Sequence, residues 1–250
     1  MVGKRKKHTY DMTPEESRKV IGTNLTFAAA EAYKRLRTNL MFSLPDRQRC
    51  RIIGVTSALQ GEGKTTTAIN IAYTMAQTGK RVLLVEGDLR LPTIAKRLDI
   101  GPRPGLSNLL AGQCTVREVL QRSGFLDGVY VITSGDIPPN PAELLASDRM
   151  GRMMEALGKI FDVILLDLPP VCVVSDALIA SKLLDGMVIV VRQDFCAKRA
   201  MAETVRQLRF SDTRILGFAV TGSDIQKKNY RRYGKDYSRD SSPHPGGDPA

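Results

Sequence analysis

A short run of residues from Ala58 to Thr66, with the sequence ALQGEGKTT, has the residue types and the spacing needed to hold a chain of phosphates. Gly61 and Gly63 allow the backbone to curl so that successive N–H groups point inward, and the N-terminus of a following helix adds partial positive charge. Lys64 can reach β- and γ-phosphates, and the hydroxyl of Thr65 can ligate Mg²⁺. The predicted ATP-binding residues are Gly61, Glu62, Gly63, Lys64, Thr65 and Thr66.

The context of this loop supports its interpretation as a phosphate loop. It follows a predicted buried strand, RIIGVTS, and opens a predicted helix, TTTAINIAYTMAQTGK, as the mechanism requires. The nearest alternative use of such glycines is the dinucleotide fingerprint Gly-x-Gly-x-x-Gly. That pattern fails because its third glycine position is occupied by Thr66.

Carboxylates follow two further predicted strands, where a parallel sheet presents ligand-binding groups. Asp167 stands near the end of DVILLDL, and Glu86, Asp88 and Arg90 follow RVLLV. The alternative for each acidic residue alone is a cap on the next helix. Because three such loops occur in order, we predict one site: Thr65, Asp88 and Asp167 as metal ligands, and Lys64, Glu86, Asp88, Arg90 and Asp167 as catalytic residues.

The elements that must position these residues alternate between apolar strands and helices. This alternation predicts βαβ units, and hence an α/β fold of the P-loop NTPase type with a mostly parallel sheet flanked by helices on both faces. Residues 1–24 are polar and without pattern, which indicates a flexible arm. We place the P-loop domain at 25–222 and a flexible, tyrosine-rich tail at 223–250.

Composition bounds the functional class. The chain has 250 residues, 42% of them hydrophobic, and a net charge of +11. Its apolar runs have the length of buried strands rather than of membrane spans, and its basic start is not followed by an apolar stretch. The four cysteines are scattered singly, which fits a reducing cytoplasm better than a disulfide framework or a metal site.

Several motifs together resemble the bacterial protein-tyrosine kinases of capsule and exopolysaccharide systems. SALQGEGKTT, VEGDLRLP and ILLDLPP resemble the Walker A, A′ and B motifs of that family, and PGLSNLLAG and SGDIPPNPAELL are also similar to it. The predicted helix from Phe27 carries Glu31, Lys34 and Arg37, similar to the family's oligomerisation motif Glu-x-x-Arg-x-x-Arg. The resemblance covers residues 27–237.

The resemblance implies an ATP- and Mg²⁺-dependent autokinase that phosphorylates a C-terminal tyrosine cluster, here Tyr230, Tyr233 and Tyr237. It implies transfer in trans within a homo-oligomeric ring whose interface includes Glu31, Lys34 and Arg37. It also implies a role in polysaccharide synthesis and export, and a cytoplasmic chain held at the inner face of the membrane. The implied partners are the cytosolic tail of a membrane-anchored activator (a polysaccharide co-polymerase) and a cognate phosphotyrosine phosphatase, and no nucleic acid is expected.

Three positions depart from the family pattern. Glu86 replaces the usual Asp, Lys34 replaces an Arg, and Thr221 stands where the family places a base-contacting Asn. Lysine lacks the bidentate fork of arginine, so ring contacts would differ. The simpler alternative for the helix motif is an i,i+4 ion pair between Glu31 and Arg35.

Two other functions are compatible with parts of the sequence. A Min- or Par-type ATPase, acting as a spatial organiser, would carry an extra lysine early in the phosphate loop, where this chain has Leu59. A nucleic-acid or membrane-surface module would use the tail's tyrosines and basic residues for stacking and for phosphate contacts. The tail's tyrosines also have the i, i+3, i+7 spacing of a packed helix stripe, but Gly234 and the lack of aliphatic partners argue against burial.

Overall fold

The computed structural model describes residue 15 and residues 19–44, 49–124 and 126–222. The three tail tyrosines and most of the predicted N-terminal arm lie outside the described residues. The predicted boundaries of the arm and of the tail therefore stay predictions, apart from the segment before the first long helix.

One sheet of seven strands forms the centre of the fold. Its spatial order is β3-β4-β2-β5-β1-β6-β7, and every neighbouring pair is parallel except the short antiparallel pair β3–β4. The predicted mostly parallel sheet is confirmed, although the two-residue strand β3 was not predicted. The strands are β1 Arg51–Ser57, β2 Val82–Glu86, β3 Gln121–Arg122, β4 Val129–Ile132, β5 Val163–Asp167, β6 Gly186–Arg192 and β7 Ile215–Thr221.

Nine α-helices in the described ranges connect and cover these strands. They are α1 Phe27–Ser43, α2 Lys64–Ala76, α3 Ile94–Leu98, α4 Leu106–Ala111, α5 Val116–Val119, α6 Pro141–Ala146, α7 Asp148–Gly158, α8 Asp176–Ala180 and α9 Lys198–Phe210. The composition of residues 141–159, PAELLASDRMGRMMEALGK, predicts one helix, but α6 and α7 are separate. Ser147 has extended backbone dihedrals and its side chain accepts from the Met150 N–H, so it caps a new helix.

The core consists of two clusters on opposite faces of the sheet. Successive residues of a strand point to opposite faces, and in β5 Val163 and Leu165 belong to one cluster while Ile164 and Leu166 belong to the other. Helices α1 and α2 cover the first face, and α4, α6, α7 and α8 contribute to the second. Because both faces are covered, the central strands are mostly apolar on both faces, as the sequence indicated.

The sheet register brings the candidate loops together. Glu86 at the end of β2 pairs with Asp167 at the end of β5, and Val55 of β1 pairs with Asp167 from the other side. The carboxyl ends of β1, β2 and β5 therefore lie side by side. The loops that follow them share one edge of the sheet.

The segment before α1 packs against α2. Ile21 is 2% exposed and belongs to the core cluster on that face. The side-chain amide of the buried Asn70 donates to the Val20 carbonyl at 2.9 Å and accepts from the Gly22 N–H at 3.0 Å. The prediction that the arm extends to residue 24 is thus wrong at its end, because two hydrogen bonds and a buried isoleucine fix residues 20–22.

Asn70→Ala is expected to lower the free energy of unfolding by about 1–3 kcal/mol, because it leaves the buried Gly22 N–H and the partly buried Val20 carbonyl without their side-chain partner. Urea denaturation measures this change. Asn39→Ala, at an exposed position on α1, is the matched control and is expected to leave stability unchanged or slightly raised. Equal losses in both variants would contradict the role assigned to Asn70.

Candidate active site

The phosphate loop has the geometry that its glycines predict. Gly61 and Gly63 have φ of 88° and 93°, in the left-handed region that favours glycine. Gly63 is the N-cap of α2, and its carbonyl accepts from the Thr67 N–H at 2.9 Å. The loop thus joins β1 to the N-terminus of α2, where free N–H groups and the helix dipole favour an anion.

Residues at the ends of β6 and β7 fasten the loop from outside. The Thr221 hydroxyl donates to the Glu62 carbonyl at 2.8 Å, and the Arg192 guanidinium donates to the Gly61 carbonyl at 3.3 Å. Glu62 is fully buried, and its carboxylate accepts from the Leu59 N–H at 2.7 Å. The predicted ATP-binding residue Glu62 therefore points its side chain into the protein, and Thr221 supports the loop.

Lys64 lies between two carboxylates. Its ammonium is 2.8 Å from Asp88 Oδ2 and 3.8 Å from Asp167 Oδ1, and all three side chains are largely buried. Burial alone would lower the pKa of Lys64, but Asp167 and Asp88 outweigh it and raise that pKa above its ordinary value. Lys64 therefore stays charged at neutral pH.

Asp167 is only 1% exposed, and neither of its carboxylate oxygens has a well-formed hydrogen bond to the described residues. Burial raises its pKa, while Lys64 and the Thr65 hydroxyl lie close enough to oppose that rise. A buried carboxylate without hydrogen bonds is costly unless a ligand satisfies it. Its position beside Thr65 fits a hard divalent cation that keeps some of its water.

Glu86, a predicted catalytic residue, has its carboxylate occupied by backbone donors. Its Oε1 accepts from the N–H groups of Thr93 and Ile94 at 2.5 and 2.6 Å, and its Oε2 accepts from the Ser134 N–H at 3.1 Å. Burial raises its pKa to about 7, against the effect of these donors. The carboxylate holds the start of α3 to the end of β4, so the geometry leaves Asp88 rather than Glu86 as the acidic group of this strand that faces the cavity.

Arg90 is held by a residue that the sequence analysis missed. Its Nε donates to Asp176 Oδ2 at 2.8 Å and its Nη2 donates to Asp176 Oδ1 at 3.1 Å, a bidentate pair. Asp176 is fully buried in the first turn of α8, while Arg90 is partly exposed. The signal in the sequence was an acidic residue at a helix start shortly after Asp167, which is indistinguishable from an ordinary helix cap.

Arg97 is the second missed residue. From α3 its Nη1 donates to the Thr66 hydroxyl at 3.2 Å, and burial lowers its pKa, partly offset by Asp167 and Glu86. Arg97 therefore adds positive charge next to the predicted ATP-binding residue Thr66. Nothing in its sequence context marks it, because it is one of two neighbouring basic residues in a short helix.

These groups surround a cavity of about 180 Å³. Predicted site residues on its surface are Gly61, Gly63, Lys64, Thr65, Asp88 and Arg90. Among the residues that the structure describes, the predicted site residues Glu62, Glu86 and Asp167 are buried and do not line the cavity. The other lining residues are three polar ones, Gln60, Thr93 and Arg97, and five apolar ones from the loops after β2 and β5, namely Leu91, Pro169, Pro170, Val173 and Val174.

The three residues of the α1 motif make contacts within the chain. Lys34 donates to Glu31 Oε1 at 2.7 Å, and Arg37 donates to the Thr74 carbonyl in the last turn of α2 at 2.8 Å. The intrachain ion pair between Lys34 and Glu31 thus has i,i+3 spacing. Their predicted use in an oligomer interface stays a prediction.

No helix among the described residues is long and apolar enough to cross a membrane.

Residues 50–215 match a family model described as an AAA domain. The chain is 37% identical to tyrosine-protein kinase YwqD of Bacillus subtilis over 82% of this chain and 86% of that protein. It is similar to the crystal structure of the chimerical protein CapA2B2, with a TM-score of 0.75, 31% identity and coverage of 82% and 88% of the two chains. It is also similar to the kinase domain of Escherichia coli tyrosine kinase ETK, with a TM-score of 0.73, 30% identity and 78% of each chain covered.

Thr221→Val is expected to weaken nucleotide binding about two- to tenfold, because it removes the hydrogen bond that holds the Glu62 carbonyl. The Kd of ATP, measured by titration calorimetry, reports this loss. Thr38→Val is a matched control, since the Thr38 hydroxyl also donates to a backbone carbonyl, that of Lys34 on α1, away from the cavity. An unchanged Kd in Thr221→Val would show that the loop does not depend on this bond.

Proposed function

This chain belongs to the bacterial protein-tyrosine kinases, and on that premise we propose that it transfers the γ-phosphoryl group of ATP to tyrosines of its own C-terminal segment. The observation that carries the proposal is the position of Lys64. Its charged ammonium stands between Asp88 and Asp167 at the mouth of a phosphate loop. Such a group is placed to offset the negative charge that develops on a transferring phosphoryl group.

The residues present fit ATP with Mg²⁺. The phosphate loop and the start of α2 supply backbone donors for the phosphates, and Thr65, Asp88 and Asp167 would hold the cation. When bound, such a cation would neutralise part of the charge on the phosphates. Asp167, which lacks well-formed hydrogen bonds to the described residues, is the strongest structural support for that cation.

Asp88 is the residue that would activate the acceptor tyrosine. A tyrosine hydroxyl has a pKa of roughly 10 and needs less activation than a serine. Asp88 lines the cavity and is fixed by Lys64 and by the Leu91 N–H, so it is placed to orient the phenol and to take its proton. The phenol oxygen then bonds to phosphorus as the bond from phosphorus to the β-phosphate oxygen breaks, and ADP leaves.

The proposed acceptors are Tyr230, Tyr233 and Tyr237. The segment that carries them follows Thr221, whose hydroxyl touches the phosphate loop, so it starts next to the site. Tyr237 is 17 residues past Val220, which in extended form spans on the order of 50 to 60 Å. That reach permits transfer within a chain or to a neighbour, and the family resemblance favours a neighbour in a ring whose interface includes the α1 motif.

We place the kinase in capsule or exopolysaccharide synthesis and export, at the inner face of the membrane. There it would act with the cytosolic tail of a membrane-anchored activator and with a phosphotyrosine phosphatase. Each phosphate adds about −1.5 to −2 charges beside Arg231, Arg232 and Lys235. This inversion of local charge would release a neighbour that binds the unmodified tail.

A Min- or Par-type spatial organiser is the alternative. It would dimerise on ATP without forming phosphotyrosine. Leu59, in place of the extra lysine of those proteins, argues against it.

Lys64→Met is expected to abolish phosphotyrosine while leaving the fold intact, because the charge at the phosphates is lost. Phosphotyrosine blotting and circular dichroism measure the two effects. Lys159→Met, at the exposed residue that follows α7, is the control and should label normally. Labelling retained in Lys64→Met would refute the assignment.

Mapping by mass spectrometry is expected to place phosphate on Tyr230, Tyr233 and Tyr237, and replacing all three by Phe should remove nearly all labelling. Mixing a Lys64→Met chain that keeps these tyrosines with an active chain lacking residues 223–250 tests the direction of transfer. Phosphate on the Lys64→Met chain is the expected result. If that chain stays unlabelled, transfer in trans is excluded.

A further inference from the structure

The lining of the cavity beside Lys64 is polar in one part and apolar in another. The apolar wall includes Leu91 from the loop after β2 and Val173 from the loop after β5. Their side chains are 58% and 61% exposed, although both lie on a cavity that also contains Lys64 and Asp88. A single exposed apolar residue needs no explanation, but two from different loops that converge on one reactive site do.

The triphosphate does not account for these apolar residues. Lys64 and the phosphate loop receive the triphosphate, which has no apolar surface to bury. Leu91 is tied directly to the reacting centre, since its N–H donates to Asp88 Oδ1 at 3.0 Å. At about 180 Å³ the cavity is smaller than the roughly 300–1,000 Å³ of pockets that enclose a whole drug-sized ligand. That volume fits the reacting ends of molecules rather than one whole ligand, which leaves the apolar residues available to a second reactant.

The two loops that carry Leu91 and Val173 are both held in place by contacts within the chain. The Arg90–Asp176 pair ties the loop after β2 to α8. In the loop after β5, the N–H groups of Val173 and Val174 donate to the Pro170 carbonyl at 3.1 and 3.3 Å. A slot whose sides are already ordered binds a ring without a further ordering cost.

We propose that Leu91 and Val173 form the two sides of a slot for the aromatic ring of the acceptor tyrosine, with its hydroxyl directed to Asp88. The proposal rests on the proposed function and adds the residues that select the acceptor. A phenol ring fills the slot and brings its oxygen to the phosphate. A serine or threonine lacks the ring that would bury this apolar surface, so the slot discriminates by side-chain class.

The test compares the full-length chain with Leu91→Ser, Val173→Ser and the double variant. Loss of apolar contact with a buried ring is expected to reduce the initial rate of phosphotyrosine formation about tenfold for each single variant and more for the double. The Kd of ATP and the slow hydrolysis of ATP to ADP in the same samples should remain unchanged. Leu91→Met and Val173→Ile, which keep the apolar sides, should retain most of the activity.

The control is Ile160→Ser, a half-exposed apolar position (49%) just before β5, at the opposite edge of the sheet from the site. A double variant that labels at the control's rate overturns the slot. A parallel loss in ATP affinity or in ATP hydrolysis also overturns the slot. Leu91 and Val173 would then contribute to nucleotide binding or to phosphoryl transfer itself rather than to acceptor binding. If Lys64→Met still forms phosphotyrosine, the proposed function fails instead, so the two failures are distinguishable.

Discussion

The placement of one ammonium group between two carboxylates constrains most of this structure. Lys64 and Asp167 are almost withdrawn from water, and burying such charges is costly unless they are paired. The pairing requires that β1, β2 and β5 end at the same edge of one sheet, because Lys64, Asp88 and Asp167 come from the loops or ends that follow those strands. Parallel strands with short, fixed loops meet that requirement, and both core clusters serve to hold them.

A second set of interactions fixes the loops around that centre without touching the cavity's reactive atoms. Glu86 joins α3 to the end of β4, Asp176 holds Arg90, and Thr221 holds the phosphate loop. Two of these residues are departures from the family pattern. The added methylene of Glu86 carries its carboxylate to three backbone donors, and the hydroxyl of Thr221 satisfies a carbonyl of the loop. Both substitutions therefore have structural uses within this chain.

The polar and the apolar parts of the cavity lining have different roles in the resulting site. The polar wall supplies charge and backbone donors, and its energetic effect grows because the surrounding protein excludes water from Lys64 and Asp167. The apolar wall, with Leu91 and Val173, supplies shape for a second reactant. Positioning two molecules against each other is the larger part of phosphoryl transfer, since the reaction needs little covalent chemistry from the protein.

The sequence by itself determined the fold class, the phosphate loop and the strand ends that carry Asp88 and Asp167. These depend on local patterns: apolar runs of strand length, glycines that permit positive φ, and a lysine at fixed spacing. Only the tertiary structure decided which side chains face the cavity. Glu86 and Asp88 lie two residues apart and are both acidic, yet the Glu86 carboxylate is bound by backbone donors from residues 93, 94 and 134. Asp176, Arg97 and Thr221 reach the site from distant segments, and no local pattern marks a contact made across the fold.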